Sequence, residues 1–111
     1  MINPLASIFL FMGIVIPFEA EITYYCPNSC CCGIYADGVT ASGKVATEGR
    51  TIAAGQQIPF GTEIEIGGTI YTVEDRGSAI RGNKIDIFVS DHQAALENGR
   101  HTETAYIKIA P

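Results

Sequence analysis

The sequence predicts a mainly β domain with one short helix, and three observations carry that expectation. Glycine is frequent, at 12 residues, while tryptophan is absent, a composition suited to short strands joined by tight turns. Two alternating runs, TEIEI and TIYTVED, flank the pair Gly67-Gly68 and read as a β-hairpin. A single stretch, SDHQAALENGR, has the start, middle and stop of a helix. At 111 residues the chain has room for one domain, which must bury a compact core to be stable.

Residues 1–20, MINPLASIFLFMGIVIPFEA, contain an apolar run from Leu5 to Phe18, the length of a signal-peptide core and short for a membrane span. They read as a signal peptide or an N-terminal anchor, with a buried segment as the third choice, and residues 21–111 as the domain. No Lys or Arg precedes the apolar run, and cleavage after Ala20 would put Phe18 where a small residue is preferred.

Ile22-Thr23-Tyr24-Tyr25 is β-branched and aromatic and reads as the first strand. Cys26, Cys30, Cys31 and Cys32 follow, in a loop opened by Pro27-Asn28 and closed by Gly33. An even count in an exported domain suggests disulfides, although three consecutive cysteines cannot readily all find partners in so short a loop. A structural zinc usually takes two separated pairs, a spacing that this cluster lacks. A disulfide staple, a zinc site and free thiols therefore stay open. A cysteine nucleophile has no activating base at local spacing; a partner such as His92 would have to come from the fold.

From Ile34 to Gly49 the chain is punctuated by Asp37-Gly38 and Ser42-Gly43 and reads as loop, expected to rim a groove. Arg50–Ala54 reads as a strand, and Pro59-Phe60-Gly61 as the entry to the next. Pairing outward from Gly67-Gly68 sets Ile66 opposite Thr69, Ile64 opposite Tyr71 and Thr62 opposite Val73, so parity assigns Asp75 to the core-facing row. After the aperiodic connector Arg76–Asn83, Lys84–Val89 puts Ile85, Ile87 and Val89 on one face and Asp86 with Phe88 on the other. Ser90 is the expected N-cap of the helix, with Gln93 as its capping-box partner and Gly99 as the stop. Thr104–Ile109 is the last strand, and no internal repeat is detectable.

The net charge of −5 argues against a duplex nucleic-acid partner, which calls for a basic patch. A polysaccharide fits better, because its hydroxyls are bound by carboxylates, amides and aromatic faces. Glu74 to His92 holds Asp75 and Asp86, 11 positions apart, and Asp91 five further on. Asp91 at a helix start has a structural role through the helix dipole. Asp75 has two readings, a carboxylate binding the amides of the turn after it and a functional group. Asp86 interrupts an apolar strand with a group that costs several kcal/mol to bury charged and unpaired, and its place beside an aromatic ring suits a raised-pKa acid. Glycosidic cleavage needs such an acid; two carboxylates serve a hydrolase, and one suffices when the substrate's own 6-hydroxyl is the nucleophile.

The motifs TYYCP, ADGVTASG, RTIAA, IPFGT, EDRGSAIRGNKIDIFVSDH and ALENGR, spanning Ile22 to Ile109, together resemble the three-aspartate (3D) domain of bacterial cell-wall proteins, related to the catalytic barrel of membrane-bound lytic transglycosylase A. AAGQQIPFGT with Asp-Arg-Gly is more distantly similar to rare lipoprotein A-like and expansin-like barrels. The resemblance implies a small six-stranded double-psi β-barrel that cleaves peptidoglycan non-hydrolytically and leaves a 1,6-anhydromuramyl end. It implies Asp86 as the single acid/base and Asp75 as the neighbour that tunes it. Asp91, Phe88 and Tyr35 are expected at the substrate, with Thr40 and Ser42 in ADGVTASG and Gly77 and Asn83 in the connector. The expected partner is the peptidoglycan glycan strand, met by a secreted or wall-associated monomer that needs no metal or other cofactor and reaches the membrane only through its N-terminal segment. The alternatives are a non-catalytic glycan-binding module using Phe88, Tyr35 or Tyr71 as sugar platforms, and an inverting hydrolase using Asp75 and Asp86 as a pair.

Overall fold

A computed structural model of the protein describes residues 13–27 and 38–109. The glycine pair sets the fold locally: Gly67 and Gly68 lie at φ 58° and 84°, the left-handed region that a two-residue hairpin turn requires. They join β3 (Glu63–Ile66) to β4 (Thr69–Asp75) in the expected register, Ile66 with Thr69 and Ile64 with Tyr71. Beyond the strand proper, the Val73 N–H donates to the Thr62 carbonyl at 2.9 Å, completing the third expected pair.

Four more strands close the sheet: β1 (Ile14–Tyr25), β2 (Thr51–Ala54), β5 (Lys84–Phe88) and β6 (His101–Ile109). Their order around the barrel is β1-β5-β2-β4-β3-β6. Two neighbouring pairs are parallel, β1 with β5 and β2 with β4, and the others are antiparallel. Among the described residues, the mainly β class, the six strands and the one short helix are those read from the sequence. Closure leaves no sheet edge unpaired.

The interior follows from the alternation. Ile22, Ile52, Ile64, Val73 and Ile85 have no exposed surface and meet Ile66, Ile87 and Ala105 inside the barrel, with Phe18, Tyr24, Tyr71 and Ile107 packed against them. Each fully buried isoleucine contributes on the order of 1.5–3 kcal/mol by removal from water. A second, smaller cluster of Cys26, Val89 and Ala95 seats α1 (His92–Asn98) against the end of β1.

Two expectations about element ends are corrected. The helix is capped by Asp91, whose carboxylate accepts from the Ala94 N–H at 3.3 Å, and not by Ser90. The Ser90 N–H and hydroxyl both bond Glu48 instead, which holds Ser90 outside the helix. β1 starts at Ile14 rather than Ile22, and Ile14–Ala20 pair with β6 from Ile109 to Glu103. Ala20 is fully buried and Phe18 packs on the core, so a barrel boundary at residue 21 would divide a continuous strand.

Candidate active site

Strand pairing places one cross-strand row on the outer face of the barrel. Ala53 of β2 is the Cα partner of Asp75 on β4 and of Asp86 on β5, and Asp86 is in turn the partner of Thr23 on β1. The row therefore reads Asp75, Ala53, Asp86, Thr23. The two aspartates stand two strand spacings apart, roughly 9.5 Å at the backbone. Only the methyl of Ala53, 3 % exposed, lies between them on this face.

Parity alone would have sent Asp75 inward. The β2–β4 ladder instead shifts register between Ile52 and Ala53, so that Ile52 meets Val73 but Ala53 meets Asp75. Glu74 is the residue passed over. One extra residue on a strand turns those after it to the opposite face, and here it brings Asp75 to the side of Asp86. Glu74 is itself buried, 4 % exposed, and accepts from the Thr51 hydroxyl at 2.8 Å and from Arg50 Nε at 3.1 Å.

The two carboxyls are held differently. Asp75 receives the Tyr25 hydroxyl on Oδ2 at 2.8 Å, and on Oδ1 the N–H groups of Ala41 at 2.9 Å and Arg76 at 2.8 Å. Asp86 receives the Thr23 hydroxyl on Oδ1 at 2.8 Å. Burial pushes the Asp86 carboxyl above the ordinary aspartate range; the Thr23 hydrogen bond lowers it, and repulsion from the Asp75 charge raises it again. Strand β5 supplies the burial, since Asp86 sits between Ile85 and Ile87 on a strand flanked by β1 and β2.

The other expected residues fall into distinct places. Phe88 shares the outer face with Asp86 but is 5 % exposed and packs edge-on with Tyr25 at 5.4 Å between ring centroids. It is therefore corrected from a sugar platform to a wall that fixes Tyr25. Thr40 is buried, and its hydroxyl donates to the Lys44 carbonyl at 2.9 Å within the turn. Ser42 anchors that turn to β4 through its N–H on the Glu74 carbonyl at 3.1 Å, which brings the Ala41 N–H onto Asp75. Gly77 lines a cavity beside the row. The Asn83 amide donates to the Glu19 carbonyl at 3.0 Å and ties the connector to β1. The Asp91 carboxylate is occupied in capping α1. Tyr35, Cys30, Cys31 and Cys32 lie outside the described residues.

Thr23, Tyr25, Ala53 and the Ala41 N–H were missed by sequence reasoning. The signal for the first two was present: Thr23 and Tyr25 alternate with the core residue Ile22 and the core-packed Tyr24, so they share the outer face of β1. Cys26 Sγ lies 3.4 Å from His92 Nδ1 within the small cluster under α1. Among the described residues, no three His, Cys, Asp or Glu side chains converge as a metal site would require.

Residues 50–109 match the 3D domain. A protein of Bacillus subtilis (strain 168) named for cell wall shaping, YabE, is 35 % identical over 92 residues, which are 81 % of this chain and 22 % of that protein. The crystal structure of MltA from E. coli superposes with a TM-score of 0.55 at 21 % identity, over 66 % of this chain and 28 % of that one. A second crystal structure of MltA from Escherichia coli, said to reveal a unique lytic transglycosylase fold, gives a TM-score of 0.54 at 24 % identity over the same shares. At such identities the likeness to these structures is one of fold. The chain spans about a fifth of the length of the curated relative it matches.

Proposed function

The chain belongs to the 3D domain family, and from that premise we propose that it is a peptidoglycan lytic transglycosylase. The bond cleaved is the β-1,4 link from N-acetylmuramic acid to N-acetylglucosamine, and the product carries a 1,6-anhydro ring. The lytic transglycosylase activity named for MltA and the wall-shaping role named for YabE support the reading. The observation that carries it is the outer-face row, in which a half-buried carboxyl whose burial favours its proton faces across Ala53 a second carboxyl held by three donors.

The Thr23 hydroxyl occupies Asp86 Oδ1, which leaves Oδ2 to carry the acidic proton. That proton passes to the glycosidic oxygen as the bond from the anomeric carbon breaks, and the N-acetylglucosamine leaves with it. Asp86, now a carboxylate, takes the proton of the muramyl 6-hydroxyl as its oxygen bonds to the anomeric carbon. Acid and base are the same residue, and no water is consumed. Burial is the main cause that favours the proton on Asp86; Asp75, fixed by Tyr25, Ala41 and Arg76, adds to it and its negative charge would stabilise the positive charge developing on the sugar.

The apolar residues before β1 suit export or retention at the membrane, which would put the barrel on the wall side as a secreted or wall-associated protein. Incubation of purified peptidoglycan with the protein should release muropeptides with anhydro ends, read by mass spectrometry. Release with reducing ends alone means water was the nucleophile and overturns the transglycosylase reading. Binding to insoluble peptidoglycan with no soluble product would leave a glycan-binding module.

A further inference from the structure

Beside the catalytic row lies a cavity of about 430 Å³ lined by Gln56, Gln57, Gly77, Ser78, Ile80 and Arg81. Its place follows from the strands. It opens beyond the ends of β2 and β4, and Gly77 lies two residues past Asp75 just as Gly55 lies two past Ala53. Two residues of strand advance roughly 7 Å, which puts the opening within about one sugar unit of the row.

The cavity has a defined polar wall. The Gln57 carboxamide lies flat over Gly55, where a Cβ would sit 2.3 Å from its Oε1 and 2.9 Å from its Nε2. A side chain at Gly55 would displace the Gln57 amide from this place. Gln57 Nε2 donates to the Gly82 carbonyl at 2.8 Å, which fixes the amide plane and leaves Oε1 as an acceptor. On the opposite side, Gly77 and Ser78 bring exposed backbone, and Arg81 is oriented by Nε donation to the Ser78 carbonyl at 2.8 Å, with its terminal N–H groups remaining as donors. Ile80 adds a half-buried apolar surface, its Cγ1 lying 3.2 Å from where a Cβ on Gly77 would stand. One fixed acceptor, a group of donors and an apolar wall complement a secondary amide that carries a methyl or other small alkyl group.

We propose that this cavity is an amide subsite, in which Gln57 Oε1 accepts from the N–H of an amide substituent on the sugar next to the scissile bond, the Ser78–Arg81 side donates to its carbonyl, and Ile80 takes its alkyl group. The proposal rests on the transglycosylase reading for the direction of the chain, and deepens it by naming what is recognised. Two groups of the polymer supply such an amide, the 2-acetamido group of either sugar and the first amide of the peptide stem.

The test is binding, not cleavage. The full chain and its Gln57→Ala and Gly55→Ala variants are titrated calorimetrically with N-acetylated chito-oligosaccharide, with the same oligosaccharide after de-N-acetylation, and with muramyl dipeptide. Gly55→Ala has no positive-φ cost and removes the subsite by driving the Gln57 amide aside, so the two variants report on one group from two sides. Loss of about tenfold in affinity by both variants for acetylated sugar, with no change for de-acetylated sugar, supports the subsite and assigns the acetamido group. The same loss confined to muramyl dipeptide supports it and assigns the stem. Affinities unchanged by both variants for every ligand overturn the proposal, and do so whether or not anhydro ends are released by the wild type.

Discussion

The two aspartates on either side of Ala53 share a face and a sheet, yet one receives three hydrogen bonds and the other one. The difference originates in where each sits on its strand. Asp75 ends β4, so the turn after it lends the Arg76 N–H and the docked Thr40–Lys44 turn lends the Ala41 N–H. Asp86 is in the middle of β5, where neighbouring strands occupy the backbone donors and, among the described residues, only the Thr23 side chain donates to it. A carboxylate at a strand end is met by backbone donors. A carboxyl in mid-strand is desolvated and favours its proton. Two chemically identical residues thus meet different surroundings by position.

Substitutions at Asp86, Asp75 and Tyr25 should separate the two carboxyls. The largest effect is expected for Asp86→Asn, which keeps the shape and the Thr23 hydrogen bond but cannot give up a proton. Release of anhydro ends should fall by roughly 10²–10⁴. Wild-type turnover by this variant would remove Asp86 from the mechanism. Asp75→Asn should cost on the order of ten- to a hundredfold, because the charge facing the sugar is lost while the acid remains. Tyr25→Phe takes away one of the three donors to Asp75 and leaves both N–H groups; initial-rate assays should register less than about a tenfold loss.

The smallest effect is on stability and has a definite sign. Burial raises the Asp86 carboxyl above its unfolded value, so the folded state binds that proton more tightly than the unfolded chain. Its contribution is complete below the unfolded value and is lost as pH rises through the folded one. At a pH above the folded value Asp86→Asn removes the desolvated charge and should raise the thermal midpoint by up to about 5 °C, a gain that vanishes in acid. A lowered midpoint on that alkaline side would mean that the Asp86 charge is better compensated than its surroundings indicate.

Much of the barrel was legible because alternation and turn chemistry act locally. TEIEI-GG-TIYTVED fixed its own register, and Ile85 and Ile87 faced the core as their spacing required. The outer-face place of Asp86 was legible for the same reason, since Ile85 and Ile87 take the core face on either side of it. Asp75 was assigned to the wrong face because parity assumes an unbroken ladder, and the shift at Ile52 and Ala53 depends on β2, which is distant in sequence. Thr23 and Tyr25 were passed over because their partners, Asp86 and Asp75, lie 63 and 50 positions away across pairings that no local pattern encodes. The helix cap was misplaced by one residue, as Ser90 and Asp91 are both good caps and Glu48 decides between them.

The pH dependence of anhydro-end release, measured side by side for Asp75→Asn and Thr23→Val, tests Asp86 most directly. Activity falls at high pH when Asp86 loses its proton. Asp75 raises the Asp86 value and Thr23 lowers it, so the alkaline limb should move to lower pH in Asp75→Asn and to higher pH in Thr23→Val. Limbs that move together, or that stay with the wild type, would contradict the assignment of Asp86 as the acid set between these two neighbours.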